Sequence, residues 1–260
     1  MDAPLRSLSV RDILSLGRTS RDESVIRLPA LCIALTLGLA ALIYYFAVDI
    51  VVTAVRMSMD VSLDEVRTHY LFRTLLPQSM HLCMINAVVI IAKRVYPAPV
   101  RALLAIRSTT TETLILCLSL GICLAFALSK AAAWLGVDFA DSRRALIISS
   151  EDGKLTYALV SIALAPILEE LVWRGYFYGA LGARYGVFIA SAIITALFAV
   201  LHVPWADAGE QVWLILCLHL ASAGTITAAR VLTGSVWPAV AMHIGRNLPA
   251  AMLAISQALS

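Results

Sequence analysis

An apolar stretch of about 20 residues, the length that crosses a hydrocarbon core of about 30 Å as an α-helix, recurs seven times along this chain. The stretches run over residues 28–52, 75–95, 113–137, 155–173, 187–203, 212–232 and 236–259. Inside lipid a helix satisfies its own backbone polar groups. The pattern therefore predicts an all-α, polytopic transmembrane helix bundle of about seven to eight spans. The eighth would come from the aromatic, Gly-rich segment 176–185, which reads either as a helical continuation or as a short interfacial helix. Composition points the same way: 60% of residues are hydrophobic and 14% charged, with a mean hydropathy of +0.86, against about 25% charged in ordinary soluble domains. So little polar surface requires the lipid bilayer as a partner. The net charge of +3 is spread thinly, with no basic and aromatic cluster of the kind that reads nucleic acid.

Charge and turn signals divide the chain. Residues 1–27 carry Arg6, Arg11, Arg18, Arg21 and Arg27 among acids, without the apolar core and cleavage site of a signal peptide, and read as a retained cytoplasmic segment. Residues 28–154 read as three transmembrane helices with their loops. Residues 155–260 form a further bundle in which the polar residues are spaced rather than scattered. Tyr96-Pro97-Ala98-Pro99 predicts a stiff turn, and Asp152-Gly153 predicts another. With the N-terminus inside, twelve of the twenty Lys and Arg fall on the cytoplasmic side, which is the positive-inside bias. The five cysteines, at 32, 83, 117, 123 and 217, lie in apolar runs without Cys-x-x-Cys spacing and read as helix packing.

Ionisable groups inside such a bundle are expensive and mark function by default. Glu169 and Glu170 close an apolar run, with Arg174 four residues after Glu170. Residues four apart share a helix face, so Glu170 and Arg174 can pair while Glu169 points about 100° away. That leaves Glu169 beside a like charge and without a cation, the setting of a general base. Phe198 and His202 follow at spacing four, just before Pro204; His243 and Asn247 repeat the spacing after Trp237-Pro238. A neutral His and an Asn can donate hydrogen bonds to an oxyanion, and a second His can hold a water against a glutamate. Each piece has a plainer reading: a solvated salt-bridged rim for the Glu pair and Arg174, a packing residue for His202, and helix-to-helix glue for His243 and Asn247. His69, His81 and His219 are left to the packing reading.

The order Glu-Glu-x-x-x-Arg, Phe-x-x-x-His, His-x-x-x-Asn, together with Trp173-Arg174-Gly175 and Trp237-Pro238, resembles the CPBP family of glutamate-type intramembrane proteases. This is the CAAX protease and bacteriocin-processing, or ABI, family, and the resemblance spans residues 155 to 258. It implies that 155–260 is a CPBP-like catalytic helix bundle and that the chain is an intramembrane endopeptidase with a membrane-associated peptide or protein as substrate. Glu169 would activate the water and His202 position it. His243 and Asn247 would stabilise the tetrahedral oxyanion, while Glu170 and Arg174 order the site. No cofactor is implied; His-Glu-x-x-His is absent from the sequence, although two Glu and two His could still form a metal site.

Two other classes stay open at this level. An ion-coupled transporter would also carry intramembrane Glu, His and Arg, but predicts a repeat between halves, and none is evident. A catalytically silent scaffold or immunity protein could share the fold. For a protease, the substrate could be a prenylated CAAX protein, a bacteriocin, a sorted C-terminal anchor or another small membrane peptide. The expected location is a multi-pass protein of a bacterial inner membrane with a cytoplasmic N-terminus.

Overall fold

The computed structural model describes residues 69–94, 100–137, 150–205 and 208–260 continuously, with isolated positions at 50–62 and 148. The N-terminal arginines, Cys32, most of the first predicted span and the Pro97–Pro99 turn lie outside the described residues. Among the described residues the fold is all-helical, as predicted. We number the helices α1 (Tyr70–Arg94), α2 (Val100–Leu103), α3 (Thr111–Trp134), α4 (Glu151–Tyr185), α5 (Val187–His202), α6 (Val212–Thr233) and α7 (Trp237–Leu259).

Of these, α3, α4 and the Gly209–Thr233 helix that contains α6 are long and apolar enough to cross a membrane. Helix α5 is apolar but shorter. The protein is thus an integral membrane protein. Its outward surface supports this: Ile115, Leu116 and Phe126 of α3, Phe188 and Leu201 of α5, and Trp213 of α6 are exposed, which suits lipid and not water. Cys123 and Cys217 share that outer surface, and Cys117 is buried; none forms a disulfide.

Local sequence sets the helix ends. Ser150 caps α4, its hydroxyl accepting from Gly153 N at 3.0 Å, with Glu151 and Asp152 in the first turn. Anionic side chains there favour the positive end of the helix dipole. Asp152-Gly153 is therefore the start of a helix and not the turn the sequence suggested. At the other end the segment 176–185 continues the same helix, so α4 has 35 residues and a length of about 52 Å. Gly186, at φ +83°, then breaks the chain before α5.

Helix α4 is not α throughout. Two π-helical stretches, Val160–Leu164 and Leu171–Phe177, flank the α-helical Ala165–Glu170. Ala165 N bonds Val160 O and Tyr178 N bonds Trp173 O, both five residues back. Such insertions concentrate at functional sites.

Helix α7 is the centre of the packing, lying against α3, α4 and α6. It touches α3 backbone to backbone: a Cβ on Gly121 would overlap the Met242 carbonyl, and one on Gly245 the Leu118 carbonyl. Against α4 it packs alanines, Ala251 and Ala254 on Ala158, the small-residue contact that lets membrane helices approach. A separate aromatic cluster of Trp173, Tyr176, Phe177 and Phe198 joins α4 to α5. Helix α1 covers the remaining flank of α4.

Candidate active site

Glu169 and Glu170 are not a rim. They lie near the middle of α4, where Glu169 is 7% exposed and Glu170 and Arg174 are 0%. Burying two carboxylates and a guanidinium is costly unless each is paired, and the pairs are there. Arg174 Nη1 donates to Glu170 Oε1 at 2.9 Å, the contact expected from the spacing. Its other donors reach across to α6: Nη2 to Ala223 O at 3.3 Å, and Nε to Thr227 Oγ1 at 3.3 Å. Thr227, also a target of Thr195 Oγ1 at 3.2 Å, gave no sign of this role in the sequence.

His243 of α7 completes the group. Its Nδ1 is 2.8 Å from Glu170 Oε1, the oxygen Arg174 already holds. A carboxylate shared with a guanidinium only accepts, so Nδ1 carries the ring proton. In a neutral His243 the other nitrogen, Nε2, is then a lone pair. It can donate to an oxyanion only as imidazolium, with the Glu170 charge behind it, and not as the neutral ring the sequence reading assumed. Glu170 Oε2 has no partner among the described residues.

His202 ends α5 beside Glu169. Its Nε2 lies 3.6 Å from Glu169 Oε2, and its side chain is 38% exposed. Its Nδ1 is 2.7 Å from the Phe198 carbonyl one turn back. A carbonyl only accepts, so here too the proton sits on Nδ1, and Nε2 of the neutral ring is an acceptor. Glu169 and His202 thus present two acceptors to one small volume.

Phe198 holds these pieces together, a role its place in the motif did not disclose. Its ring stacks on His202 at a centroid distance of 4.1 Å, meets His243 edge-on at 6.0 Å, and lies 4.0 Å under the Arg174 guanidinium. Cation–π and stacking geometry each add to the burial of the ring.

Asn247, one turn beyond His243, is fixed at both ends of its amide. Arg246 Nη1 donates to Oδ1 at 3.0 Å, and Nδ2 donates to the Ser161 carbonyl of α4 at 2.9 Å. That carbonyl is free for a sequence reason. In the five-residue register shown by Ala165 and Val160, the donor to Ser161 O would be residue 166, and Pro166 has no N–H. The amide keeps a second Nδ2 hydrogen for another acceptor.

Five of the six residues singled out by sequence, Glu169, Glu170, Arg174, His202 and His243, therefore meet, on α4, α5 and α7; Asn247 stands one turn from His243, tied to Ser161. One residue set aside as packing joins them. His81 of α1 is buried and within electrostatic reach of Glu169, Glu170 and His202. His219 of α6 lies further out, its ring 6.3 Å from His202. Among the described residues no three His, Cys, Asp or Glu side chains are grouped so as to hold a metal ion.

With this geometry in place the family comparison has a structural counterpart. Residues 151–249 match the family model for type II CAAX prenyl endopeptidase Rce1-like proteins. Over that stretch the chain is similar to the CPBP/CAAX protease family. The Rce1-like match begins at the first residue of α4 and ends just past Asn247. It contains Glu169, Glu170, Arg174, His202, His243 and Asn247, and leaves α1 outside. No curated protein and no solved structure gave a match.

Proposed function

We propose that the protein is an intramembrane endopeptidase that hydrolyses a peptide bond of a membrane-associated protein or peptide, with water activated by Glu169. The observation that carries this reading is the pairing of Glu169 Oε2 with His202 Nε2 across 3.6 Å, both as acceptors. One water can donate an O–H to each. Glu169 takes the proton as the water oxygen attacks the carbonyl carbon, and later returns it to the departing amine. The negative charge arising on the carbonyl oxygen meets the free Nδ2 hydrogen of Asn247 and the imidazolium of His243. Glu170 and Arg174 hold His243 in place and do not touch the reacting atoms.

On this reading residues 155–260 are the catalytic bundle, the three spans within residues 28–154 act as scaffold or substrate-docking elements, and residues 1–27 are a cytoplasmic segment at a bacterial inner membrane. No metal takes part. The deciding experiment compares the membrane peptidomes of cells making the wild-type protein and Glu169→Gln, which keeps the shape and removes the basicity. An uncleaved species that accumulates only with the variant is expected; indistinguishable peptidomes would refute the assignment. Activity of purified protein should survive a strong chelator, and a loss reversed by added zinc would overturn the metal-free mechanism.

A further inference from the structure

Helix α1 carries a buried polar stripe that the proposed reaction does not use. Thr74, Gln78 and His81 are 7%, 6% and 6% exposed and stand at i, i+4 and i+7, one face of a helix. Helix α1 packs against the same part of α4 that bears Glu169 and Glu170. Two acceptors on the stripe are left over. His81 Nδ1 is 2.9 Å from the Pro77 carbonyl, which fixes its proton there and leaves Nε2 as an acceptor. Gln78 Oε1 is buried with no hydrogen-bond partner among the described residues. Leaving a buried amide oxygen unmatched is costly, and native proteins keep few such atoms without a use.

The opposite character belongs to α7, whose Asn247 offers a donor. Helices α1 and α7 both lie on α4 and barely touch each other. Glu169 therefore sits on a stretch of helix contacted by one neighbour with spare acceptors and by another with a spare donor. A trans peptide group has matching asymmetry, with its C=O and N–H pointing to opposite sides.

We propose that His81 and Gln78 bind the substrate main chain, accepting hydrogen bonds through Nε2 and Oε1 from backbone N–H groups on either side of the scissile bond. The inference rests on the endopeptidase reading. It makes the substrate an extended segment with free N–H groups, because a helical segment would have used those donors internally. His81 and Gln78 touch substrate but no proton in flight, so their loss acts on KM more than on kcat.

The test uses a synthetic peptide spanning the cleavage site of the species that accumulates with Glu169→Gln, made in parallel with single backbone esters on either side of the scissile bond. Each ester deletes one N–H and keeps the side chains. Wild-type protein should lose about tenfold in kcat/KM with one ester on each side, corresponding to about 1.4 kcal/mol per bond. His81→Phe and Gln78→Leu should each lose a similar factor on the all-amide peptide, mainly through KM. Each should also be insensitive to one of the two esters. Equal ester sensitivity in wild type and both variants, or wild-type indifference to the esters, would overturn the proposal. If His81→Phe fails to fold, His81→Gln, which retains an acceptor, is expected to cleave the amide peptide and remain ester-sensitive. A Glu169→Gln protein that cleaves normally would instead defeat the endopeptidase reading, and this proposal with it.

Discussion

His243 and Glu170, 73 positions apart in the chain, meet at 2.8 Å on the same carboxylate oxygen that Arg174 reaches at 2.9 Å. One acidic oxygen thereby anchors α7 to α4 and, through Arg174, both to α6. Replacing Glu170 by Ala leaves the fully buried Arg174 without its counter-charge, which should cost about 3–5 kcal/mol. Thermal unfolding in detergent would measure the loss. Adding Arg174→Met should recover part of the stability, since it removes the stranded charge. A single variant that melts with the wild type would show that the pair does not hold the helices.

His202→Ala removes one of the two acceptors around the attacking water but leaves α5 intact, because the side chain is 38% exposed. Turnover should fall about 10²-fold, with little change in KM or melting temperature. Steady-state cleavage of the peptide identified from cells is the measurement. A large rise in KM with unchanged kcat would mean that His202 binds substrate and does not position water.

Pro166→Ala supplies the N–H that Ser161 O lacks. The restored main-chain bond competes with Asn247 Nδ2, now at 2.9 Å from that carbonyl. Catalysis should drop about tenfold while stability is kept or raised. Asn247→Ala should cost about 10²–10³ in kcat, the range for losing an oxyanion donor. If Pro166→Ala cleaves at the wild-type rate, the Ser161 contact does not orient Asn247.

Gly245→Ala forces a Cβ into the Leu118 carbonyl. Two backbones must separate, and overpacking of this kind costs about 1–3 kcal/mol or more. Because α7 carries His243 and Asn247, activity should fall along with the melting temperature. Gly182→Ala is the control: its nearest neighbour is Ala190 Cβ at 3.9 Å, and it should be close to neutral in both assays.

Much of the site was legible because its parts repeat a helical spacing. Glu170 with Arg174, and His243 with Asn247, announce a shared face at four residues, and the structure pairs or aligns both. Contacts between helices left no such trace. Nothing in the spacing says that His243 binds Glu170, that Phe198 lies under Arg174, or that Thr227 receives Arg174 Nε. His81 passed as packing because a single His in an apolar span carries no signal; only with Thr74 and Gln78 does a polar stripe at i, i+4 and i+7 emerge. The helical class followed from the apolar stretches, but lengths did not. One stretch read as 155–173 is part of a 35-residue helix, because Tyr176, Phe177 and Tyr178 continue the chain into an aromatic core instead of stopping at an interface. The Gly-rich stretch gave no sign that Gly175 lies against the Leu104 carbonyl, where a Cβ would come within 2.6 Å, while Gly186 ends the helix.

The π-helical stretch Val160–Leu164 has a consequence for reading related sequences. A π turn holds one residue more than an α turn, so the stretch is equivalent to a single-residue insertion upstream of Glu169. Deleting one residue there would return the helix to α register and rotate everything before the deletion by about 100° relative to everything after it. Glu-Glu-x-x-x-Arg, Phe-x-x-x-His and His-x-x-x-Asn would all survive intact. Ser161 would turn away from Asn247, and the Glu pair would shift against the N-terminal part of its own helix. A relative could thus keep every motif letter and still lose the site, through a gap of one position in a stretch that no motif covers.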